Sequence, residues 1–377
     1  MNILPRFANN SVAQYSSTQH IADNQPELLD PKVGELRAAI EGRQANLAIS
    51  GEESTIGRRT SAKKKPVIDF QLMAPNVSLT GHEDEVLGCQ FSSCGSKLIS
   101  GGMDRVILYW DLAKECKNTG VFGPLKAPIT DIRFSGDDGR IYAGCSDGST
   151  HCFDVSTGQK VRRFLGEGKV VNSIDVSKKG EEIVAASSND GTIRLFDCRQ
   201  KDPVHTLKES FPVLSVSFPF DHASLCTGGL DNKIRIWDLR LGEVSRIFEG
   251  HSDSISSLSL SHEGSFLLSN SFDNTLKVWD VRPGSTSNLP LKTYTGHTHG
   301  PEKNLIRGSF NFNGQLVCCG SADGKVRIWD ASKRSVILTL GGHEGSANQV
   351  ACSPKRDMIA SCSTDKTVLV SELPIVY

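Results

Sequence analysis

The sequence has almost no net charge and few aromatic residues. Across 377 residues, 42 lysines and arginines nearly balance 43 aspartates and glutamates, which leaves a formal net charge of −1. Aromatic residues make up 7% of the chain, and no apolar run approaches the roughly 18 residues of a membrane span. The N-terminus lacks the charged-then-apolar pattern of a secretory signal. We therefore expect no membrane segment and no overall positive field for nucleic acid or an anionic membrane.

Cysteine and histidine patterns typical of metal sites are also missing. The 11 cysteines are odd in number and contain no CxxC pair, and the 10 histidines form no cluster with metal-ligand spacing. We expect buried, reduced thiols, as in cytosolic or nuclear proteins. We expect no metal ion and no other cofactor.

The sequence is rich in glycine, with 35 residues, and in short alternating runs separated by turns. The clearest example is residues 251–280, where apolar and polar residues alternate over 255–261, 266–271 and 275–280. Such runs, bounded by turn residues, predict short antiparallel strands. The stretch opens on Gly250-His251 and closes on Trp279-Asp280, the pairs typical of WD-repeat propeller blades.

This unit repeats along the chain. An aspartate in the turn between the second and third strands recurs at spacings of 41 to 50 residues, close to the roughly 40–45 residues of one blade. These turn aspartates are Asp104, Asp147, Asp190, Asp231, Asp273, Asp323 and Asp365. We predict an all-β fold, a seven-bladed WD40 β-propeller over residues 67–377, in which a strand at about 76–80 closes blade seven.

Residues 1–66 differ in composition, with many Asn, Ser, Gln and charged residues, and we predict a mostly disordered N-terminal extension. Residues 31–49 carry apolar side chains at helical spacing, which indicates either a helix that docks on a partner or a fluctuating segment. A basic cluster follows and suggests either a nuclear import signal or a solvated linker. Its residues are Arg58, Arg59, Lys63, Lys64 and Lys65.

In WD-repeat proteins a histidine, a strand hydroxyl, the turn aspartate and a tryptophan form a buried hydrogen-bond chain, and the resemblance assigns such sets here. Blade one has His82, Ser100, Asp104 and Trp110, blade five has His251, Ser269, Asp273 and Trp279, and blade seven has His343, Ser361 and Asp365. Blade six has His297, Asp323 and Trp329 with Cys319 in place of the hydroxyl, and blade four has Thr227, Asp231 and Trp237 without a histidine. Blades two and three keep only Asp147 and Asp190.

Recurring Ser, His and Asp resemble a hydrolase triad, but here they recur at blade spacing inside predicted sheets. A nucleophile must be exposed beside an oxyanion hole, which a repeated buried network does not provide. We therefore expect no enzyme activity.

A rigid platform of this kind binds partners on its faces. Residues just before each turn aspartate and early in each first strand are expected on the narrow face. The apolar ones are Leu87, Met103, Leu214, Leu230, Phe272 and Ile306. Either they form an apolar arc that binds a protein or peptide, or neighbouring loops cover some of them.

Several stretches resemble the family of 40-kilodalton WD-repeat proteins of the U5 small nuclear ribonucleoprotein. They are GGLDNKIRIWDLR (228–240), residues 250–283, EKNLIR (302–307) and GSADGKVRIWD (320–330). The resemblance covers about residues 72–373. It implies a non-catalytic, monomeric subunit of a multiprotein assembly in the nucleus, bound to the large U5 core splicing protein and other spliceosomal proteins, with RNA contacted only indirectly.

Two other functions remain open. A WD40 adaptor that reads substrates or histone tails in a ubiquitin-ligase or chromatin complex uses the same platform and favours an acidic or aromatic central pore. A propeller that binds RNA directly would show strongly salt-dependent binding.

Overall fold

The computed structural model describes residues 77–113, 116–166, 169–178, 182–219 and 223–373. These residues form 28 strands arranged in seven four-stranded antiparallel sheets, which are the seven blades of the predicted propeller. The innermost strands are β2 (Val86–Phe91), β6 (Ile129–Phe134), β10 (Val171–Val176), β14 (Val213–Ser217), β18 (Ile255–Leu260), β22 (Gly308–Phe310) and β26 (Ala347–Cys352). Each packs against the innermost strand of the next blade, and β26 packs against β2, so the ring is closed.

The second strands are β3 (Lys97–Gly102), β7 (Arg140–Cys145), β11 (Ile183–Ser188), β15 (Ser224–Gly229), β19 (Phe266–Ser271), β23 (Leu316–Cys319) and β27 (Met358–Ser363). The third strands are β4 (Ile107–Asp111), β8 (Ser149–Asp154), β12 (Thr192–Asp197), β16 (Ile234–Asp238), β20 (Thr275–Asp280), β24 (Val326–Asp330) and β28 (Val368–Glu372). The outermost strands are β1 (Val77–Leu79), β5 (Lys117–Phe122), β9 (Lys160–Leu165), β13 (His205–Lys208), β17 (Glu243–Phe248), β21 (Lys292–Thr295) and β25 (Val336–Leu340).

The core lies between neighbouring sheets, because inner and middle strands are buried on both faces. Between blades four and five, for example, Ile234 and Phe248 pack against Ile255, Leu258 and Trp279. The outermost strands are mostly exposed, and β5 and β17 each bury only their last residue, Phe122 and Phe248. Burial between sheets therefore supplies the main stabilisation.

The last blade draws its outermost strand from the beginning of the propeller. Strand β1 pairs antiparallel with β28, with Val77 opposite Val370 and Leu79 opposite Val368. Leu79 is buried among residues of blades one and seven, including Trp110. The two ends of the propeller are thus joined within one sheet.

Six innermost strands contain a β-bulge one residue after their start, in their pairing with the second strand. The extra residues are Leu87, Thr130, Asn172, Leu214, Ser256 and Asn348. A bulge redirects the side chain of its extra residue. The side chains of Thr130 and Asn172 donate hydrogen bonds to the carbonyls of Val171 and Val213, which begin the innermost strand of the next blade. These bulges therefore link successive blades.

No helix among the described residues has the length and apolar character needed to cross a membrane.

Candidate interaction face

The predicted hydrogen-bond chain is complete in blades one and five. In blade one, His82 Nδ1 lies 2.6 Å from Asp104 Oδ2, His82 Nε2 lies 2.6 Å from Ser100 Oγ, and Trp110 Nε1 donates to Ser100 Oγ at 2.8 Å. Blade five repeats this arrangement. His251 lies 2.9 Å from Asp273 and 2.6 Å from Ser269, which accepts from Trp279 at 2.8 Å.

Blade seven has the same chain without the tryptophan. His343 lies 2.8 Å from Asp365 and 2.9 Å from Ser361, and Ser371, at the tryptophan position of the third strand, is paired with Ile359. A carboxylate can only accept, so Nδ1 of each histidine donates to the aspartate and Nε2 accepts from the serine. All donors and acceptors along the chain are then satisfied, which makes it a structural element.

The environment of Asp273 keeps its carboxylate ionised. Burial alone would raise the pKa of Asp273, but hydrogen bonds from His251 and Thr275 outweigh burial and lower the pKa well below the ordinary value. Burial lowers the pKa of His251, against the attraction of Asp273. The pair is therefore a neutral histidine that donates to a charged carboxylate, with both groups directed into the sheet.

Where the histidine is missing, an arginine holds the turn aspartate. Arg163 binds Asp147 at 3.0 Å, and Arg194 binds Asp190 at 3.1 Å. Arg194 lies four residues after Asp190, and the arginines that bind Asp231 and Asp323 lie at the same interval after their aspartates. The spacing Asp-x-x-x-Arg is the signal in the sequence that identifies these three arginines.

Blade four replaces the histidine with a glutamate. Glu209 stands 22 residues before Asp231, the same interval as from His251 to Asp273. Its carboxylate accepts from Thr227 Oγ1 at 2.7 Å and from Arg235 Nη1 at 2.9 Å, while Trp237 donates to Thr227 at 3.0 Å. Burial raises the pKa of Glu209. Thus Thr227 and Trp237 occupy their predicted positions, but Asp231 contacts Arg235.

The prediction for blade six is wrong. His297 Nε2 lies 2.8 Å from Asn270 of blade five, and His297 Nδ1 is buried without a partner. Trp329 donates to the carbonyl of Thr295, and Asp323 pairs with Arg327 at 2.6 Å. The extra residues after His297 lengthen the interval to Asp323, so the histidine cannot reach this carboxylate.

The predicted apolar arc is only partly accessible. Leu87, Met103 and Leu230 are half-buried, whereas Leu214, Phe272 and Ile306 are 6%, 7% and 0% exposed. The prediction that these side chains are exposed on the narrow face is therefore wrong for Leu214, Phe272 and Ile306. Leu214 is the buried bulge residue of β14, and Ile306 packs against Trp329 and Leu268.

Phe272 is covered by the insertion in blade six, residues 298–306. The ring of His299 contacts it edge-on at a centroid distance of 4.9 Å, and Lys303 Nζ lies 5.5 Å from its centroid. The 50-residue spacing indicated an insertion here but not its direction. Beside this loop, between blades six and seven, lies a cavity of about 200 Å³. It is lined by Gly300, Pro301, Glu302, Asn304, Ala322, Ser346 and Thr364.

Arg307 crosses the central channel of the propeller. It lies just before β22 in blade six, and its guanidinium donates to the carbonyls of Thr130 in blade two and Asn172 in blade three, at 3.2 and 2.8 Å. It also pairs with Asp131 Oδ1 at 3.2 Å. Its side chain is almost completely buried. One cation thus joins the innermost strands of distant blades.

Within the described segments, no group of three or more histidine, cysteine or acidic side chains could hold a metal ion. The basic cluster from Arg58 to Lys65, proposed for nuclear import, lies outside the described residues.

The WD40 family (WD domain, G-beta repeat) matches the chain seven times. The matches span 73–111, 115–154, 158–197, 201–238, 242–280, 288–330 and 334–370. Each contains one turn aspartate, so the family matches and the structural blades agree in number. Each match joins the outermost strand of one blade to the first three strands of the next.

Three similar proteins carry names from pre-mRNA splicing. The chain is 40% identical to the pre-mRNA-splicing factor cwf17 of Schizosaccharomyces pombe over 302 residues, 80% of this chain and 88% of the relative. It is 38% identical to the U5 small nuclear ribonucleoprotein 40 kDa protein of Dictyostelium discoideum over 324 residues, 86% of this chain and 89% of the relative. The Homo sapiens protein of that name is 38% identical over 302 residues, 80% of this chain and 85% of the relative.

Proposed function

This chain belongs to the WD40-repeat family that includes the U5 small nuclear ribonucleoprotein 40 kDa proteins, and we propose that it is a scaffold subunit of the U5 particle in pre-mRNA splicing. The observation that carries the proposal is identity of 38% to 40% over at least 302 residues of the chain. An alignment of at least 302 residues is far longer than any single WD40 repeat match, so the similarity is not confined to one repeat.

The scaffold acts without catalysis. Its recurring Ser, His and Asp side chains are buried and directed at one another, as in blade five, where the Ser269 hydroxyl is shared by His251 and Trp279. A hydroxyl occupied in this way inside a sheet cannot attack a substrate. The chemical contribution of the protein is the rigid presentation of binding faces.

The partners are spliceosomal proteins, among them the large U5 core protein, and the site of action is the nucleus. A net charge of −1 supports contact with RNA through these partners, because direct phosphate binding requires a concentration of lysine and arginine.

The binding surface is the narrow face around the accessible part of the apolar arc, Leu87, Met103 and Leu230. These side chains are half-buried, and a partner gains free energy by covering their remaining apolar surface. The cavity beside the insertion offers a concave site on the same face. Arg307 places a cation at the central channel, where the histone-reading or substrate-reading adaptor favours acidic or aromatic side chains, and this counts against that function.

Affinity purification tests this function. The full-length protein, tagged at its C-terminus, is recovered from nuclear extract at moderate salt, and bound RNA and proteins are identified. Recovery of U5 RNA together with the large U5 core protein supports the proposal. Ligase or chromatin subunits without that RNA would support the adaptor instead. If the purified protein alone bound RNA with a steep salt dependence, a direct RNA-binding function would replace the indirect one.

A further inference from the structure

Three pairs of free cysteines meet across boundaries between blades. Cys152 and Cys198 meet between blades two and three. Cys89 forms a hydrogen bond with Cys362 between blades one and seven, and Cys318 forms one with Cys352 between blades six and seven. Neither the fold nor the proposed scaffold role requires paired thiols at these positions. The pairs differ in their surroundings, and one of them is suited to oxidation.

The sulfur atoms of Cys152 and Cys198 lie 3.4 Å apart. Cys152 is in β8, the third strand of blade two, and Cys198 directly follows β12, the third strand of blade three. A disulfide bond is about 2.05 Å long, so the two sulfurs need approach by little more than 1 Å. The two sulfurs are already in contact, so closure to a disulfide requires only a small further approach.

Polar groups around this pair favour a thiolate at Cys198. The hydrogen bond from Cys152 and the positive charge of Arg140 lower the pKa of Cys198, against burial and the negative charge of Glu182, while the pKa of Cys152 is raised. Glu182 orients this group, because it binds Arg140 Nη1 at 2.6 Å and accepts from the Tyr142 hydroxyl at 2.6 Å. The two thiols therefore have unequal roles, with Cys198 as nucleophile and Cys152 as its partner.

We propose that Cys152 and Cys198 are a peroxide-sensitive dithiol that closes to a disulfide between blades two and three. The Cys198 thiolate attacks one oxygen of hydrogen peroxide, the O–O bond breaks, and the departing hydroxide takes a proton to become water. The Cys152 sulfur, giving up its proton, then attacks the sulfenic acid sulfur and displaces a second water. Two thiols lose two electrons, and one peroxide becomes two waters.

The other cysteines provide internal controls. Cys89 and Cys318 are buried, as Cys152 and Cys198 are, but the pKa values of the Cys89 and Cys318 thiols are raised well above the ordinary value, so these two cysteines present little thiolate. Cys94 is exposed, and hydrogen bonds with Ser92 and Ser96 lower its pKa to about 7. It is expected to react with peroxide without forming this disulfide, because its sulfur contacts two serine hydroxyls.

Peptide mapping without reduction tests the proposal on the full-length wild-type protein. After exposure to hydrogen peroxide, remaining thiols are blocked and the protein is cut with trypsin. We expect peptide 141–160 linked to peptide 195–199, with fragment ions that place the bond at Cys152. This link should form at least about tenfold faster than any Cys89–Cys362 or Cys318–Cys352 link and should disappear with dithiothreitol.

Two matched variants identify the attacking sulfur. Cys198→Ser should leave Cys152 in its thiol form after peroxide, whereas Cys152→Ser should accumulate sulfenic acid at Cys198, detected with a dimedone probe. If wild-type protein that keeps its melting temperature gives no 152–198 link, or links a buried pair at the same rate, the proposal is wrong. Equal dimedone labelling of both variants would contradict the assigned roles.

Discussion

Each turn aspartate is bound by a histidine or an arginine. Which of the two it binds decides how much unfolding free energy is lost when the aspartate is replaced. Asp273→Ala leaves the buried His251 Nδ1 without an acceptor, together with the hydroxyl of Thr275. Asp147→Ala frees Arg163, whose side chain is 36% exposed and can be solvated, and the Ser149 hydroxyl, which keeps His151 Nε2 as a partner. We expect Asp273→Ala to reduce the free energy of unfolding by about 2–3 kcal/mol and Asp147→Ala by about 1 kcal/mol or less. Urea denaturation of both variants measures this, and equal losses would refute the ranking.

At this scale the sequence located all seven turn aspartates but not all their partners. The histidines of blades one, five and seven lie at a fixed interval before the aspartate, so position alone identifies them. Glu209 lies at the same interval, but the sequence alone predicts repulsion between its carboxylate and that of Asp231. In the structure Arg235 binds both carboxylates and offsets this repulsion. Such a pairing depends on side-chain direction, which the repeat pattern does not contain.

At the scale of elements, the insertion of blade six makes stability sensitive to acid. Burial lowers the pKa of His299 to about 4, from an ordinary value of about 6.5 in the unfolded chain. The neutral ring therefore favours folding fully above about pH 6.5, and this contribution is lost as the pH falls toward 4. We expect the melting temperature of His299→Gln to fall less than that of the wild type over this range. His262→Gln, at an exposed turn position, is the control and should keep the wild-type pH dependence.

Strand β1 is the second element with a testable role. It supplies the outermost strand of blade seven, and Leu79 fills a core shared with blade one. We predict that a protein beginning at residue 67 folds and melts near the wild-type temperature, in keeping with a domain boundary at 66/67. A protein beginning at residue 81 should lose cooperative unfolding, because β28 becomes an open edge. Failure of the longer form to fold, measured by circular dichroism, would contradict this boundary.

At the scale of the whole molecule, the ring is connected both at its rim and across its centre. Arg307 pairs with Asp131, 176 residues away in sequence, and donates a hydrogen bond to the backbone carbonyl of Asn172 in blade three. The repeat pattern predicted seven blades because each repeat carries its own signals. It could not predict this contact, because nothing local to EKNLIR specifies which carbonyls lie across the channel.

Arg307→Met tests the central connection. The variant leaves the Thr130 and Asn172 carbonyls without this donor and removes one cation from the buried Asp131, so we expect a loss of about 3 kcal/mol or more in unfolding free energy. Arg282→Met is the matched control, since its pair with Asp280 is at the surface and its side chain is 58% exposed. It should lose about 1 kcal/mol at most. Similar losses for both variants in guanidinium denaturation would mean that Arg307 does not hold the ring together.

The central claim is that the narrow face of a non-catalytic propeller holds this protein in the U5 particle. The most direct test compares U5 RNA recovered from nuclear extract with tagged wild type, with Met103→Glu/Leu230→Glu on the face, and with Val161→Glu on the exposed outermost strand β9. We predict that the face variant keeps its melting temperature and recovers about tenfold less U5 RNA, while the rim variant recovers as much as the wild type. Equal recovery by all three proteins would contradict binding through this face, and absence of U5 RNA from the wild type would contradict the scaffold function itself.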